Sequence, residues 1–302
     1  MKYHLNTSDH IVTVFDSVDD LIDQAFCCHD PEQFATRCNP TNRMANRREF
    51  CVKQANRLKD SRADWALGIK DLQTATDLLK NPPDWMVDKA HECLDQIDTA
   101  VAKQHDSAAP RRKRLRGLED RDTLMLERVM TRHPEPWERM DRPTVSHKVV
   151  RILVNCATSW KLDKESLVYR GAAAVASAMQ IEQRGGKCEI WAAFCSDRCV
   201  SAYGVDNLDQ LTLVKPVNEP TTISRTLATV AHLGFFRCVM LNAAQNSAQR
   251  SDYADHNYGV PAKISKVVQT YVKPDVTIDY KDVSLTAACA AVSRSIEATD
   301  AA

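Results

Sequence analysis

Val149-Val150-Arg151-Ile152-Leu153-Val154 is an apolar run that ends in Asn155-Cys156-Ala157-Thr158-Ser159, a cluster of small polar residues. A run of that length, rich in β-branched residues and bounded by a polar turn, predicts a strand. Its almost continuous apolarity fits a strand buried on both faces. A strand that ends in such a turn is where open α/β sheets place their ligand sites. Working outward, Arg170-Gly171-Ala172 opens an alanine-rich helix reaching Arg184, and Gly185-Gly186 supplies its C-cap. Further strands are predicted over Glu189–Phe194, Leu211–Val217, Phe235–Leu241 and Val276–Tyr280. Helices are predicted over Thr222–Leu233, Ile264–Tyr271 and Ser284–Ile296. Strands alternating with helices predict an α/β domain over residues 146–302, with a doubly wound, mostly parallel, Rossmann-like sheet.

The first third of the chain reads as a helical N-terminal region, residues 1–101. Ser17 is placed to cap a helix, with Asp19 and Asp20 in its positive first turn. Leu21, Ile22, Ala25 and Phe26 follow at helical spacing. Further helices are predicted over Arg48–Leu58, over Trp65–Leu79 up to the stop at Asn81-Pro82-Pro83, and from Trp85 to Val101. Residues 102–145 read as a linker and docking segment. They carry Arg111-Arg112-Lys113-Arg114-Leu115-Arg116, the densest run of positive charge in the chain. Two readings of that run stand side by side: a solvated connector kept extended by its charge, and a phosphate-binding segment. No aromatic residue is interleaved with the bases, so a stacking platform for single strands is not visible. In His133-Pro134-Glu135-Pro136-Trp137 the two prolines favour a rigid turn docked by Trp137 over acid–base use of His133 and Glu135.

The 302 residues carry 40 acids and 40 bases, so no global field draws the protein to nucleic acid or anionic membrane. No N-terminal apolar segment and no long apolar run points to a membrane, and the expected location is the cytoplasm. Eleven cysteines are spread without a Cys-x-x-Cys pair. Neither Cys27, Cys28, His29 and Cys38 nor Cys188, Cys195 and Cys199 supplies the two close ligand pairs of structural zinc, so reduced thiols acting as small hydrophobes are expected. Signatures for dinucleotide or phosphate cradles, nucleophile elbows and zinc proteases are missing. Asp252, Asp255 and His256 lie in a polar segment, 247–258, that reads as a solvated loop and contact surface.

In a doubly wound sheet, the loops at the carboxyl ends of neighbouring strands meet in one crevice. Asn155, Thr158 and Ser159 from the first strand, Thr222 before a helix, and Asn242 at the end of the 235–241 strand are therefore expected to converge as a partner or ligand crevice. The order of elements resembles a von Willebrand factor A domain. That family builds a metal-ion-dependent adhesion site from an Asp-x-Ser-x-Ser turn, a Thr on a second loop and an Asp after a later strand. Here the turn is Asn155-x-Ala157-x-Ser159, the threonine is Thr222, and Asn242 stands for the last aspartate. Ser159 and Thr222 survive while both carboxylates are lost, so the resemblance implies no cofactor, or at most Mg²⁺ held weakly by Ser159 and Thr222.

A looser similarity, covering most of the chain, is to uncharacterised phage and prophage proteins with a helical N-terminal region and a von Willebrand-like C-terminal half. It rests on Phe15-Asp16-Ser17-Val18, Trp65, the helix at Trp85, Arg132–Trp137, Arg170–Ala174, Gly186–Trp191 and Tyr258-Gly259-Val260-Pro261. The function expected from these readings is a non-enzymatic binding or adaptor protein, phage- or prophage-encoded, that presents the crevice to a protein partner. The alternative is nucleic-acid binding through Arg111, Arg112, Lys113, Arg114 and Arg116.

Overall fold

A computed structural model of the chain describes residues 2–6, 10–26, 67–104, 114–115, 123–124, 137–140, 149–158, 164–196, 207–248 and 262–300. The elements in chain order are β1 (Lys2–Asn6), β2 (His10–Phe15), α1 (Val18–Phe26), α2 (Leu72–Lys80), α3 (Asp84–Gln104), β3 (Arg114–Leu115), β4 (Thr123–Leu124) and β5 (Trp137–Met140). Then come β6 (Val149–Asn155), α4 (Lys164–Gln183), β7 (Lys187–Ser196), β8 (Asn207–Lys215), α5 (Ile223–Ala231) and the single turn α6 (Leu233–Phe235). A π-helical turn (Phe236–Met240), α7 (Leu241–Ala248), α8 (Lys266–Val272), β9 (Val276–Ile278) and α9 (Leu285–Asp300) complete it.

The main sheet has six strands in the order β1-β2-β8-β7-β6-β9. Strand β6 lies parallel to β7 on one side and to β9 on the other, as the apolar run predicts. Strand β8 turns back antiparallel on β7, and β2 runs parallel to β8 with β1 antiparallel at the edge. The sheet is thus mixed, with three parallel and two antiparallel pairings.

Alternation along the strands feeds two cores of unequal size. Val150, Ile152 and Val154 of β6 and Cys188, Ile190, Ala192 and Phe194 of β7 face a large core shared with α1, α2, α3, α4, α5, α7 and α9. Leu153, Ala193, Cys195, Leu211, Val12 and Val14 point the other way, onto Val268 and Val272 of α8. Both faces are covered, but most of the helices crowd one side. Helix α4 ends as the glycine pair predicts: Gly185 takes a left-handed φ of 81°. The Gly185 N–H donates to the Glu182 carbonyl and that of Gly186 to the Ile181 carbonyl, a double closure that satisfies two end carbonyls.

Three expectations are corrected. First, the N-terminal region is not only helical. Residues 10–15 form a strand in the main sheet, and the helices from α1 to α3 share the core of the C-terminal half. Second, the helix expected from Trp65 begins at Leu72. Leu67 and Gly68 hold positive φ, and Asp71 caps the helix in a box with Thr74. Third, the strand expected at Phe235–Leu241 is helical, entering as a π turn and continuing as α7. A short run that is apolar except for Arg237 carries too little periodicity to separate a buried strand from a buried helix. The helix expected at Arg48–Leu58, Trp65 itself and residues 258–261 lie outside the described residues.

Candidate functional site

The carboxyl end of β6 is built from its own turn. Asn155 is buried, and its Oδ1 accepts the Ala157 N–H at 3.1 Å, an Asx turn that ends the strand. Its Nδ2 donates to the Ala262 carbonyl at 2.9 Å, which ties down the segment leading into α8. On the same segment, Ser265 donates to the buried Asp209 of β8 and caps α8 by accepting from Val268 N–H at 3.2 Å. The Cys156 N–H extends the β7 ladder to the Ala193 carbonyl at 2.7 Å. Thr158 turns its hydroxyl back to the Cys156 carbonyl at 3.0 Å.

Into this turn comes Arg170 from α4, 1% exposed. Its Nε and Nη2 both donate to the Val230 carbonyl, at 3.0 and 2.7 Å. Its Nη1 donates to the carbonyls of Asn155 at 3.1 Å and Ala157 at 3.2 Å, with Thr158 Oγ1 at 3.5 Å. These partners are oxygens of neutral groups rather than a carboxylate, and they still offset the charge. Val230 lies in the last turn of α5, where the helix dipole is negative, and the β6 turn adds two more carbonyl dipoles. Burial lowers the guanidinium below its ordinary value, yet an arginine remains charged at neutral pH. The same burial pushes the neighbouring Cys156 thiol up to about 11, so it is a poor nucleophile.

Gly171 allows the geometry. A Cβ there would stand 2.8 Å from Ala231 Cβ and 2.9 Å from Leu227 Cδ2, so only glycine lets α5 approach close enough for Val230 to meet the guanidinium. His232, the residue that follows α5, is buried, and its Nδ1 accepts the Phe235 N–H at 3.1 Å. Burial pushes it down to about 4.

Of the residues expected to converge, the structure brings Asn155 and Thr158 together, around Arg170. Thr222 is exposed at the N-cap of α5 without a side-chain capping bond. It stands eight residues, roughly 12 Å along the helix axis, from Val230. Asn242 is the second residue of α7, which packs on α1, β8 and β2. β7 lies between β8 and β6, which sets α7's side of the sheet roughly 10 Å from the β6 turn. Ser159 lies outside the described residues. The acid that does follow a strand beside Asn155 is Asp279: β9 and β6 are in register at Ile278 and Val154, and Asp279 is the next residue. Its Oδ1 accepts from Tyr280 N–H at 2.6 Å.

This donor set does not fit Mg²⁺. Both atoms of the Asn155 amide are used internally, and a cation at the turn would face the Arg170 charge. Among the described residues no group of three or more His, Cys, Asp or Glu side chains is arranged to hold a metal. The described cysteines, Cys93, Cys156, Cys188, Cys195, Cys238 and Cys289, are buried thiols. Of the basic segment, Arg114 pairs with Met140 in the small sheet β3-β5-β4, where Trp137 pairs with Leu124. Arg111, Arg112, Lys113, Arg116, His133, Glu135, Cys27, Cys28, His29, Cys38, Cys199, Asp252, Asp255 and His256 lie outside the described residues.

The family model for a domain of unknown function, DUF7192, matches residues 3–292. The chain belongs to the DUF7192 family. No curated protein and no solved structure matches it. The DUF7192 match starts in β1 and ends in α9, so the family unit includes the N-terminal strand pair together with the rest of the sheet. Arg170 is the residue that sequence reasoning passed over. Its signal was a lone arginine set ahead of Gly171-Ala172-Ala173-Ala174 in a helix with little amphipathic character, where every face is packed and a charge must be buried.

Proposed function

We propose that this DUF7192 protein is a non-enzymatic binding or adaptor protein whose C-terminal half is a von Willebrand factor A-like sheet. Two things support the fold reading. Counted from β6, the strands β8-β7-β6-β9 follow the 3-2-1-4 order of doubly wound sheets, and helices lie on both faces. The observation that carries the functional reading is the filled β6 turn. Asn155, Thr158 and Arg170 bond to one another and to the backbone, so the place where such a sheet would hold a ligand is packed with its own side chains. Contact with a protein partner then falls on the exposed ends of the neighbouring elements, with Thr222 at the start of α5 as the expected contact among the residues named. The similarity to phage and prophage proteins supports action in a host cytoplasm, and no single helix among the described residues is long and apolar enough to cross a membrane.

The test is affinity capture from the native host with the wild type, Thr222→Arg and Thr158→Val. A partner recovered by the wild type and Thr158→Val but lost with Thr222→Arg supports the reading. Equal recovery by all three removes Thr222 from it. Salt-sensitive capture of DNA or RNA, lost when Arg111, Arg112, Lys113, Arg114 and Arg116 are neutralised, favours the nucleic-acid alternative instead.

A further inference from the structure

A second set of buried polar groups lies away from the β6 turn, on the other half of the sheet. Leu211 of β8 faces α8, so its neighbours Gln210 and Thr212 face the large core. Gln210 stands in register with Thr13 of β2 on one side and Phe194 of β7 on the other, and Thr212 stands beside Ala192. Phe194 meets Phe236 of the π turn edge to face at 5.6 Å, which sets the π–α7 helix over this row. Asn242 lies in α7, which packs on both β8 and β2. Gln210, Thr212 and Asn242 are all more than nine-tenths buried.

Three of their polar atoms have no hydrogen-bond partner: Gln210 Oε1, Thr212 Oγ1 and Asn242 Nδ2. Buried polar atoms in native proteins are almost always paired, so three orphans on facing elements need a physical account. Their chemistry is complementary, an acceptor, a hydroxyl and a donor. Oε1 and Nδ2 would satisfy each other if they met directly, and they do not. A molecule that both donates and accepts can serve all of them, and buried waters typically make about three such bonds. The π turn that ends at Met240, two residues before Asn242, is a second sign, because single π turns inside α-helices recur at functional sites.

We propose that the seam between β8 and α7 is a buried binding site for water, held by Gln210, Thr212 and Asn242. The water donates to Gln210 Oε1, accepts from Asn242 Nδ2 and shares a bond with the Thr212 hydroxyl. It joins the sheet to the π–α7 helix where side chains alone leave the polar groups short of one another. The site is distinct from the β6 turn, where every polar partner belongs to the protein.

The experiment uses the full chain, isotope-labelled, with water–protein NOEs read at the Asn242 side-chain amide and at Thr212. Cross-peaks from a long-lived water are expected in the wild type, and their absence overturns the proposal. Thr212→Val removes the hydroxyl at nearly constant shape. It should abolish the water signal at Asn242 and raise the unfolding equilibrium constant about 3- to 10-fold. A variant that is more stable than the wild type would mean the hydroxyl was dry and unpaired, which also overturns it. Should Thr212→Val not fold, Asn242→Leu on the helix side of the same seam is read instead by loss of the water cross-peak at Thr212 and by the same stability criterion.

Discussion

Replacing Arg170 with methionine tests the core of this account. The side chain is fully buried and its three nitrogens donate to the carbonyls of Val230, Asn155 and Ala157. Methionine fills much of the volume and donates nothing. Each buried carbonyl left unpaired costs about 1–3 kcal/mol, and part of that is returned because a charge no longer has to be desolvated. Three carbonyls against one relieved charge leave a net loss of about 3 kcal/mol. Arg170→Lys keeps the charge but offers one nitrogen where the fork offers three. It cannot reach Val230 on one side and the β6 turn on the other, and should lose about 2 kcal/mol. Urea denaturation followed by far-UV circular dichroism reads both, with an unchanged slope showing that the denatured state is not the cause. If Arg170→Met matches or exceeds the wild type in midpoint, the guanidinium contributes nothing net and the reasoning about dipole compensation is wrong.

Three further expectations follow from neighbouring groups. Gly171→Ala should destabilise by about 1–3 kcal/mol in the same urea assay, because its Cβ would overlap Ala231 and Leu227; in an exposed helix the same change would stabilise. His232 is held neutral by burial and by accepting from Phe235 N–H, with its value near 4 against 6.5 when unfolded. The unfolded chain binds the extra proton first, so stability is full above pH 6.5 and falls as pH drops toward 4. At about 1.4 kcal/mol per pH unit the loss is roughly 3 kcal/mol, and His232→Asn should remove most of that slope in urea titrations at stepped pH. Thr222→Asp should stabilise by about 0.5–1 kcal/mol by capping the uncapped α5 N-terminus, read as a raised urea midpoint.

Much of the fold was legible because periodicity and end signals agreed. The β6 run, the Ser17 start of α1 and the Gly185-Gly186 stop of α4 each carry a local cause, and the Asp20 N–H does donate to Ser17 Oγ at 3.1 Å. The misses share another cause. Residues 235–241 are buried apart from the half-buried Arg237, and one polar position does not distinguish strand from helix. Strand β2 takes its partner β8 from almost two hundred residues away, and only that pairing draws the N-terminus into the sheet.

The site was less legible than the fold. Asn155 and Thr158 were found because a strand-ending turn announces itself. What they touch comes from α4, α5 and the α8 approach, which one-dimensional spacing does not reveal. Asn242 was placed at a strand end only because the strand itself was misassigned. Asp279 follows a strand of three residues, too short to stand out as the neighbour of Asn155.

The claim that the β6 turn is packed rather than open is tested most directly by amide hydrogen exchange at Cys156 and Ala157. Their N–H groups bond to the Ala193 carbonyl and to Asn155 Oδ1 beneath Arg170. Protection at both amides should be close to that of the β6 interior and fall sharply in Arg170→Met. Exchange at the rate of an exposed loop in the wild type would show an open crevice and contradict the claim.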